Sequence, residues 1–152
     1  MTTISIAYLV STLGQSGPTN QLYNLIHHLD NNDFDVSLIT LSREPSSSRW
    51  NDFSALNISL YSLELNRASW ILLGQRKLER LLSKVKPNIV HSQGLRADWH
   101  NSKLGSHYSR VSTQRNDPFV DYRMLYGRLN GSLLANCHIK SLRLIPNVFT
   151  CS

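Results

Sequence analysis

The chain has 152 residues, of which 41% are hydrophobic and 17% charged, enough to bury one core and too mixed for a disordered, fibrous or membrane-spanning class. A formal charge of +6 is scattered over Arg43, Arg49, Arg67, Arg76, Lys77, Arg80, Lys84, Lys86 and the arginines from Arg96 to Arg143. No basic run is interleaved with aromatics, so the charge fits attraction to anionic substrates or lipid head groups and argues against sequence-reading nucleic-acid binding.

The first element is the apolar run Ile4–Val10, short enough for one strand of a parallel sheet covered on both faces. The loop Ser11–Asn20 follows it, and Leu22, Leu25, Ile26 and Leu29 then recur at helical spacing. Gly17 is expected at or near the N-cap, with Pro18 at the first helical position. Phe34–Leu41 is a second strand, followed by the Ser- and Pro-containing loop Ser42–Ser48, and Asn57–Leu63 is a third. Trp70–Lys86 reads as a helix with Ile71, Leu78, Leu82 and Val85 on its buried face, stopped by Pro87. Asn88–Gln93 is a fourth strand; a helix runs from Leu95 to about His107; Arg110–Asn116 is a fifth strand. Phe119–Leu142 looks helical although it carries Gly127 and Gly131, and Asn147–Cys151 is a last strand. Strands alternating with helices predict an α/β, doubly wound parallel sheet. The terminal strand meets Ser152 with no helix to complete the unit, so the chain is expected to be cut there.

Chemistry concentrates at the strand ends. A loop with two glycines, Gly14 and Gly17, between a strand and a helix N-terminus directs backbone N–H groups and the helix dipole toward an anionic ligand. The alternative is a tight turn in which Thr19 caps the helix. His91 ends the fourth strand at the edge where open α/β sheets bind ligands, either bonding a hydroxyl of a ligand or satisfied by a neighbouring loop. Cys137 and Cys151 form neither a disulfide framework nor a metal-ligand spacing and are expected as buried reduced thiols. No His-Glu-x-x-His or Gly-x-Ser-x-Gly pattern occurs, which disfavours metal catalysis and serine hydrolysis. Arg43 stands where a 2′-phosphate contact would suit a nicotinamide enzyme, but the first turn lacks Gly-x-Gly-x-x-Gly. No apolar run reaches membrane-spanning length, and a cytoplasmic location is expected.

Three segments in register, Gly-x-x-Gly-Pro-Thr-Asn-Gln-Leu at Gly14–Leu22, Lys-Pro-Asn-Ile-Val-His-Ser-Gln-Gly at Lys86–Gly94 and Ser-Thr-Gln-Arg-Asn-Asp at Ser112–Asp117, resemble the N-terminal half of family 4-like glycosyltransferases. The resemblance implies a Rossmann-like domain, one half of the two-domain GT-B arrangement with its active site in the cleft between the halves. It implies retaining transfer of a sugar from a nucleotide-sugar donor, with no cofactor, to a glycan or lipid-linked acceptor in bacterial surface polysaccharide synthesis, at the inner face of the membrane. Gly17 would lie where the backbone approaches the donor diphosphate, and Thr19 and Asn20 would bond phosphate or acceptor hydroxyls. Arg96 and Asp98 would line the acceptor side, the alternative being the solvated start of a helix. Arg115 stands where many members present a histidine to the donor sugar; an arginine donates but does not titrate, so phosphate neutralisation suits it better than proton transfer. Asn116, Asp117 and Asp121 continue that polar loop, with turn formation the simpler reading of Asp117 before Pro118.

The same resemblance assigns most of the nucleotide site, and a pair of glutamates, to a C-terminal domain. Glu44, Glu64 and Glu79 supply no such pair, so residues 1–152 are expected to be the acceptor-side domain alone, inactive without a C-terminal domain or separate partner chain. The alternative is a non-catalytic partner subunit of a split glycosyltransferase.

Overall fold

The computed structural model describes residues 3–66 and 69–151; Arg67 of the scattered charges and the terminal Ser152 lie outside them. Six strands form one sheet: β1 (Ile4–Val10), β2 (Phe34–Ser42), β3 (Ser59–Leu65), β4 (Ile89–Ser92), β5 (Ser109–Gln114) and β6 (Asn147–Thr150). Their order is β3-β2-β1-β4-β5-β6 and every pairing is parallel. The chain therefore winds outward from β1 in one direction, returns to β4, and winds outward in the other. All strand ends share one edge, and the reversal leaves a crevice between β1 and β4.

Strand alternation divides the core into two layers. On one face Ile6, Tyr8, Val10, Val36 and Leu38 pack with Leu22 and Ile26 of α1 (Gly17–His27) and Phe53 of α2 (Trp50–Ser54). On the other, Ala7, Leu9, Ile39, Leu41, Leu65 and Val90 meet Leu78 and Leu82 of a helix from Gly74 to Val85 and Ala97 of one from Leu95 to Asn101. A strand buried on both faces has no polar side to show, which is why β1 and β2 read as apolar runs.

Most element boundaries fall within a few residues of expectation, and the differences have local causes. The Trp70–Lys86 helix is two pieces, α3 (Ser69–Leu72) and α4 (Gly74–Val85). A β-carbon on Gly74 would stand 2.7 Å from His100 Cε1, so the chain passes there at glycine distance. The helix after β4, α5 (Leu95–Asn101), stops well short of His107. The Phe119–Leu142 helix is likewise two, α6 (Pro118–Tyr126) and α7 (Arg128–Arg143), divided by Gly127 at φ +79°. Only glycine adopts that conformation without strain. One face of α7 turns inward: Gly131, Ala135, His138 and Leu142 are buried at helical spacing. A β-carbon on Gly131 would collide with the carbonyl of Tyr122, so α6 and α7 touch backbone to backbone at this glycine.

Both cysteines contradict expectation. Cys137 and Cys151 are free but exposed. Cys137 lies one residue before His138 on α7, and the helical period turns it outward as His138 turns in. Around α5, Trp70 and Trp99 meet edge to face with ring centroids 5.0 Å apart, and His100 packs edge-on to both.

Candidate functional site at the sheet switch point

Parallel strands deliver their ends to one edge, and a cavity of about 340 Å³ opens there, at the reversal between β1 and β4. Its walls come from Val10–Leu13 after β1, Ser16, Pro18, Thr19 and Leu22 of the α1 entry, Gln93 and Gly94 after β4, Thr113–Asn116 at the end of β5, and the α6–α7 pair.

The α1 entry is closed by its own side chains. Ser16 is the N-cap, its Oγ accepting from the Thr19 backbone N–H at 3.2 Å, which puts Gly17 inside the first turn and Pro18 one place later than expected. Thr19 Oγ1 donates to the Gly14 carbonyl at 2.7 Å. Glu44 fastens the loop from the other side, one carboxylate oxygen accepting from the Leu13 N–H at 2.9 Å and the Ser48 hydroxyl at 2.6 Å. Gly14 sits against Pro45, while a β-carbon on Gly17 would meet nothing within 4 Å. The space in front of Gly17 is therefore open.

Two polar side chains on the opposite wall have donors with nothing to bond. Arg115 Nη2 donates to Gln93 Oε1 at 3.3 Å; Arg115 Nε and Nη1 and Gln93 Nε2 are buried without a hydrogen-bond partner among the described residues. Buried donors left unpaired cost about 1–3 kcal/mol each, and such a cost is recovered when a ligand supplies acceptors. Two of these three donors belong to one guanidinium, a permanent cation that suits an anion with several oxygens.

The other residues singled out in the sequence separate into those at the cavity and those beside it. Thr19, Arg115 and Asn116 line it; Gly14, Gly17, Asn20, His91 and Arg96 do not. Asn20 Oδ1 accepts from Arg49 Nη1 at 2.7 Å on the exposed start of α1. Arg96 lies over the Trp70 ring and donates to the Ser42 hydroxyl at 2.8 Å, off the end of β2. His91 is inside β4, its ring beside Tyr8 and its Nε2 sharing a hydrogen bond with Thr113 Oγ1 at 2.8 Å, so it reaches the cavity through Thr113. Burial pushes its pKa down to about 4, with Arg115 adding to the shift and Asp98 opposing it. Asp117 caps α6 by accepting from the Phe119 N–H at 2.8 Å, and Asp121 lines the cavity.

Asp98 departs furthest from its expected place on the acceptor side. It is wholly buried, and its carboxylate accepts from Ser92 Oγ at 2.6 Å, Ser112 Oγ at 2.7 Å and His138 Nε2 at 2.7 Å. His138 and Tyr122, which reach the cavity wall, were not visible in the sequence as site residues, because the histidine lies forty positions from its carboxylate partner. The signal that existed was a histidine on the buried stripe of a helix, seven residues after a glycine.

No family model matches the sequence, and a search of curated proteins finds no match. Solved structures do resemble the fold. Sucrose-phosphate synthase from Thermosynechococcus elongatus superposes with TM-score 0.67 at 13% identity over 95% of this chain and 41% of its own. UDP-GlcNAc 2-epimerase from Methanocaldococcus jannaschii gives TM-score 0.64 at 15% identity, over 98% of this chain and 40% of its own. An α-glucosyltransferase solved with UDP and a DNA 13-mer gives 0.59 at 12% identity, over 98% and 38%. The chain thus spans about two-fifths of these structures, and its fold is that of one half of GT-B-like proteins.

Proposed function

We propose that this chain is the acceptor-side half of a retaining glycosyltransferase, which moves a sugar from a nucleotide-sugar donor to a glycan or lipid-linked acceptor in bacterial surface polysaccharide synthesis. The observation that carries the reading is that Arg115 and Gln93, whose side chains hold donors with no hydrogen-bond partner among the described residues, line the same switch-point cavity as the α1 entry. A diphosphate supplies acceptor oxygens and negative charge of the kind those donors lack. Arg115 then neutralises charge and orients oxygens, and the open space before Gly17 admits the phosphate to the start of α1.

Half a cleft does not supply the whole stabilisation of a departing diphosphate, so the chain alone is expected to bind weakly and to turn nothing over. The alternative, a non-catalytic partner subunit of a split glycosyltransferase, is supported by the same coverage of two-fifths of the matched structures. A membrane-proximal position on the cytoplasmic side is supported by the exposed apolar residues Met124, Leu125, Leu129 and Leu133 at the α6–α7 turn, flanked by Arg123 and Arg128. Among the described residues no helix is long and apolar enough to cross a membrane.

The test is titration of the chain with uridine diphosphate and its sugar conjugates, followed by amide NMR shifts. Saturable shifts at residues 93–94 and 113–116, lost in Arg115→Ala, are expected; binding unaffected by that substitution overturns the reading. Adding a C-terminal GT-B domain in trans separates the two forms: sugar transfer lost with Arg115→Ala marks a catalytic half, and transfer indifferent to the cavity marks a partner subunit.

A further inference from the structure

A hydrogen-bonded chain runs from the cavity wall to the deepest point of the β4–β5 flank. Tyr122 OH lies 2.9 Å from His138 Nδ1, and His138 Nε2 lies 2.7 Å from Asp98 Oδ2. The other carboxylate oxygen is held by Ser92 and Ser112. Asn101 fixes Ser92 in turn, its Nδ2 donating to Ser92 Oγ at 2.8 Å and to the Val111 carbonyl at 2.9 Å. Asp98, His138, Asn101, Ser92 and Ser112 are all buried, while Tyr122 is half-buried and lines the cavity with Arg115 and Gln93.

We propose that Tyr122, His138 and Asp98 form a proton relay whose outer end, Tyr122, takes the proton of a hydroxyl group bound in the cavity. The donors fix the direction. Asp98, held by two serine hydroxyls, is an acceptor and takes the His138 Nε2–H; the neutral ring then has its lone pair on Nδ1 and accepts from Tyr122. With its own proton committed inward, Tyr122 Oη presents lone pairs to the cavity and receives a hydroxyl donor. Burial, reinforced by the charges of Asp98, Tyr126 and Asp121, raises the Tyr122 pKa, so the phenol passes its proton on as it receives one and is never a free phenolate.

The arrangement is built for a fixed position. Gly131 lets α7 meet the Tyr122 backbone, and two helical turns later the same face presents His138. A buried carboxylate–imidazole pair is no better for stability than well-packed apolar side chains of the same volume, and this one opens at a single end, onto the cavity.

The relay rests on the transfer reading only for its substrate, a hydroxyl-bearing acceptor. In that reaction the acceptor oxygen bonds to the anomeric carbon and the bond from that carbon to the diphosphate breaks, the nucleotide leaving with the electron pair. The acceptor proton passes to Tyr122 as the Tyr122 proton passes to His138 Nδ1, and Asp98 remains ionised beside the imidazolium. Tyr122 is the catalytic residue; His138 and Asp98 position it and hold its proton.

The experiment needs neither donor sugar nor second domain. p-Nitrophenyl acetate offered to the intact chain reports base-assisted attack by a tyrosine: the Tyr122 oxygen takes the acetyl group, p-nitrophenolate leaves, and the phenolic proton goes to His138. Peptide mass mapping is expected to find Tyr122 acetylated ahead of the more exposed Tyr126, with the rate falling about a hundredfold in His138→Gln. Should His138→Gln fail to fold, nitrogen NMR of the unaltered chain decides, with Nε2 protonated and Nδ1 bare at neutral pH as the expected state. Tyr122 reacting no faster than Tyr126, a folded His138→Gln with unchanged rate, or a protonated Nδ1 at neutral pH each overturns the relay. Loss of nucleotide binding in Arg115→Ala bears on the transfer reading alone, and these rates bear on the relay alone.

Discussion

The two flanks of the sheet are held by different forces. From β1 to β3 the interior is mainly aliphatic and aromatic, with Ser37 and Thr40 among it: Leu9, Leu38, Ile39, Leu41, Phe53 and Leu65 have almost no exposure and no polar partner to satisfy. From β4 to β6 the interior is a polar spine of Ser92, Asp98, Asn101, Ser112 and His138, each placed by the hydrogen bonds of the next. Apolar packing tolerates small shifts because it is non-directional, whereas a hydrogen-bonded spine fixes atoms at the cost of failing when one member is lost. The adaptable flank carries the fold, and the exacting flank carries the wall of the cavity where Gln93, Arg115, Tyr122 and His138 lie.

Four perturbations break or sharpen that contrast. Asp98→Ala strands two serine hydroxyls and the His138 Nε2–H in a dry interior, and is expected to cost about 3–5 kcal/mol in chemical denaturation. A loss below about 1 kcal/mol would show the spine to be dispensable. Leu38→Ala on the other flank removes contacts but orphans nothing, for about 3 kcal/mol with the Tyr122–His138 hydrogen bond retained in the NMR spectrum.

Acid separates the flanks by mechanism. His91 and His100, both in the β4–α5 unit, have pKa values lowered to about 4, each first by burial; Arg115 adds at His91 and Lys103 at His100. The unfolded chain binds protons near pH 6.5 that the folded chain refuses until about pH 4, so stability falls as pH is lowered through that window. The expected slope is about 1 kcal/mol per pH unit for each histidine, and hydrogen exchange should quicken first in β4 and α5. Faster exchange in β2 and β3 would reverse the assignment. The smallest change in stability is expected for Gly17→Val, whose side chain meets open space: melting shifts by less than about 1 kcal/mol while nucleotide-induced NMR shifts weaken. Undiminished binding would leave Gly17 a turn residue.

The same division explains what could be read in the sequence. Ile4–Val10 has the bounds expected of it, and Phe34–Leu41 falls short by one residue, because a strand covered on both faces is predominantly apolar. The parallel order follows from the alternation of strands and helices. The polar spine carries no such period: Asp98 and His138 meet only because β4, β5 and α7 converge. Gly127 and Gly131 were visible as letters within a helical pattern, but whether a glycine breaks a helix or seats one against another is decided by its surroundings, and here the first does one and the second the other. Asn20 and Arg96 bond Arg49 and Ser42, partners supplied by distant loops that no local pattern marks.

The indole pair beside α5 has an optical consequence. Trp70 and Trp99 stack edge to face within reach of His100, whereas Trp50 packs against the opposite core layer. A protonated imidazole quenches a neighbouring indole more strongly than a neutral one, so in a Trp50→Phe variant the remaining emission comes from the indole pair beside His100 alone. The protein thereby contains its own fluorescent gauge, dimming as His100 takes up a proton and reporting, without any attached dye, when that side of the sheet begins to give way.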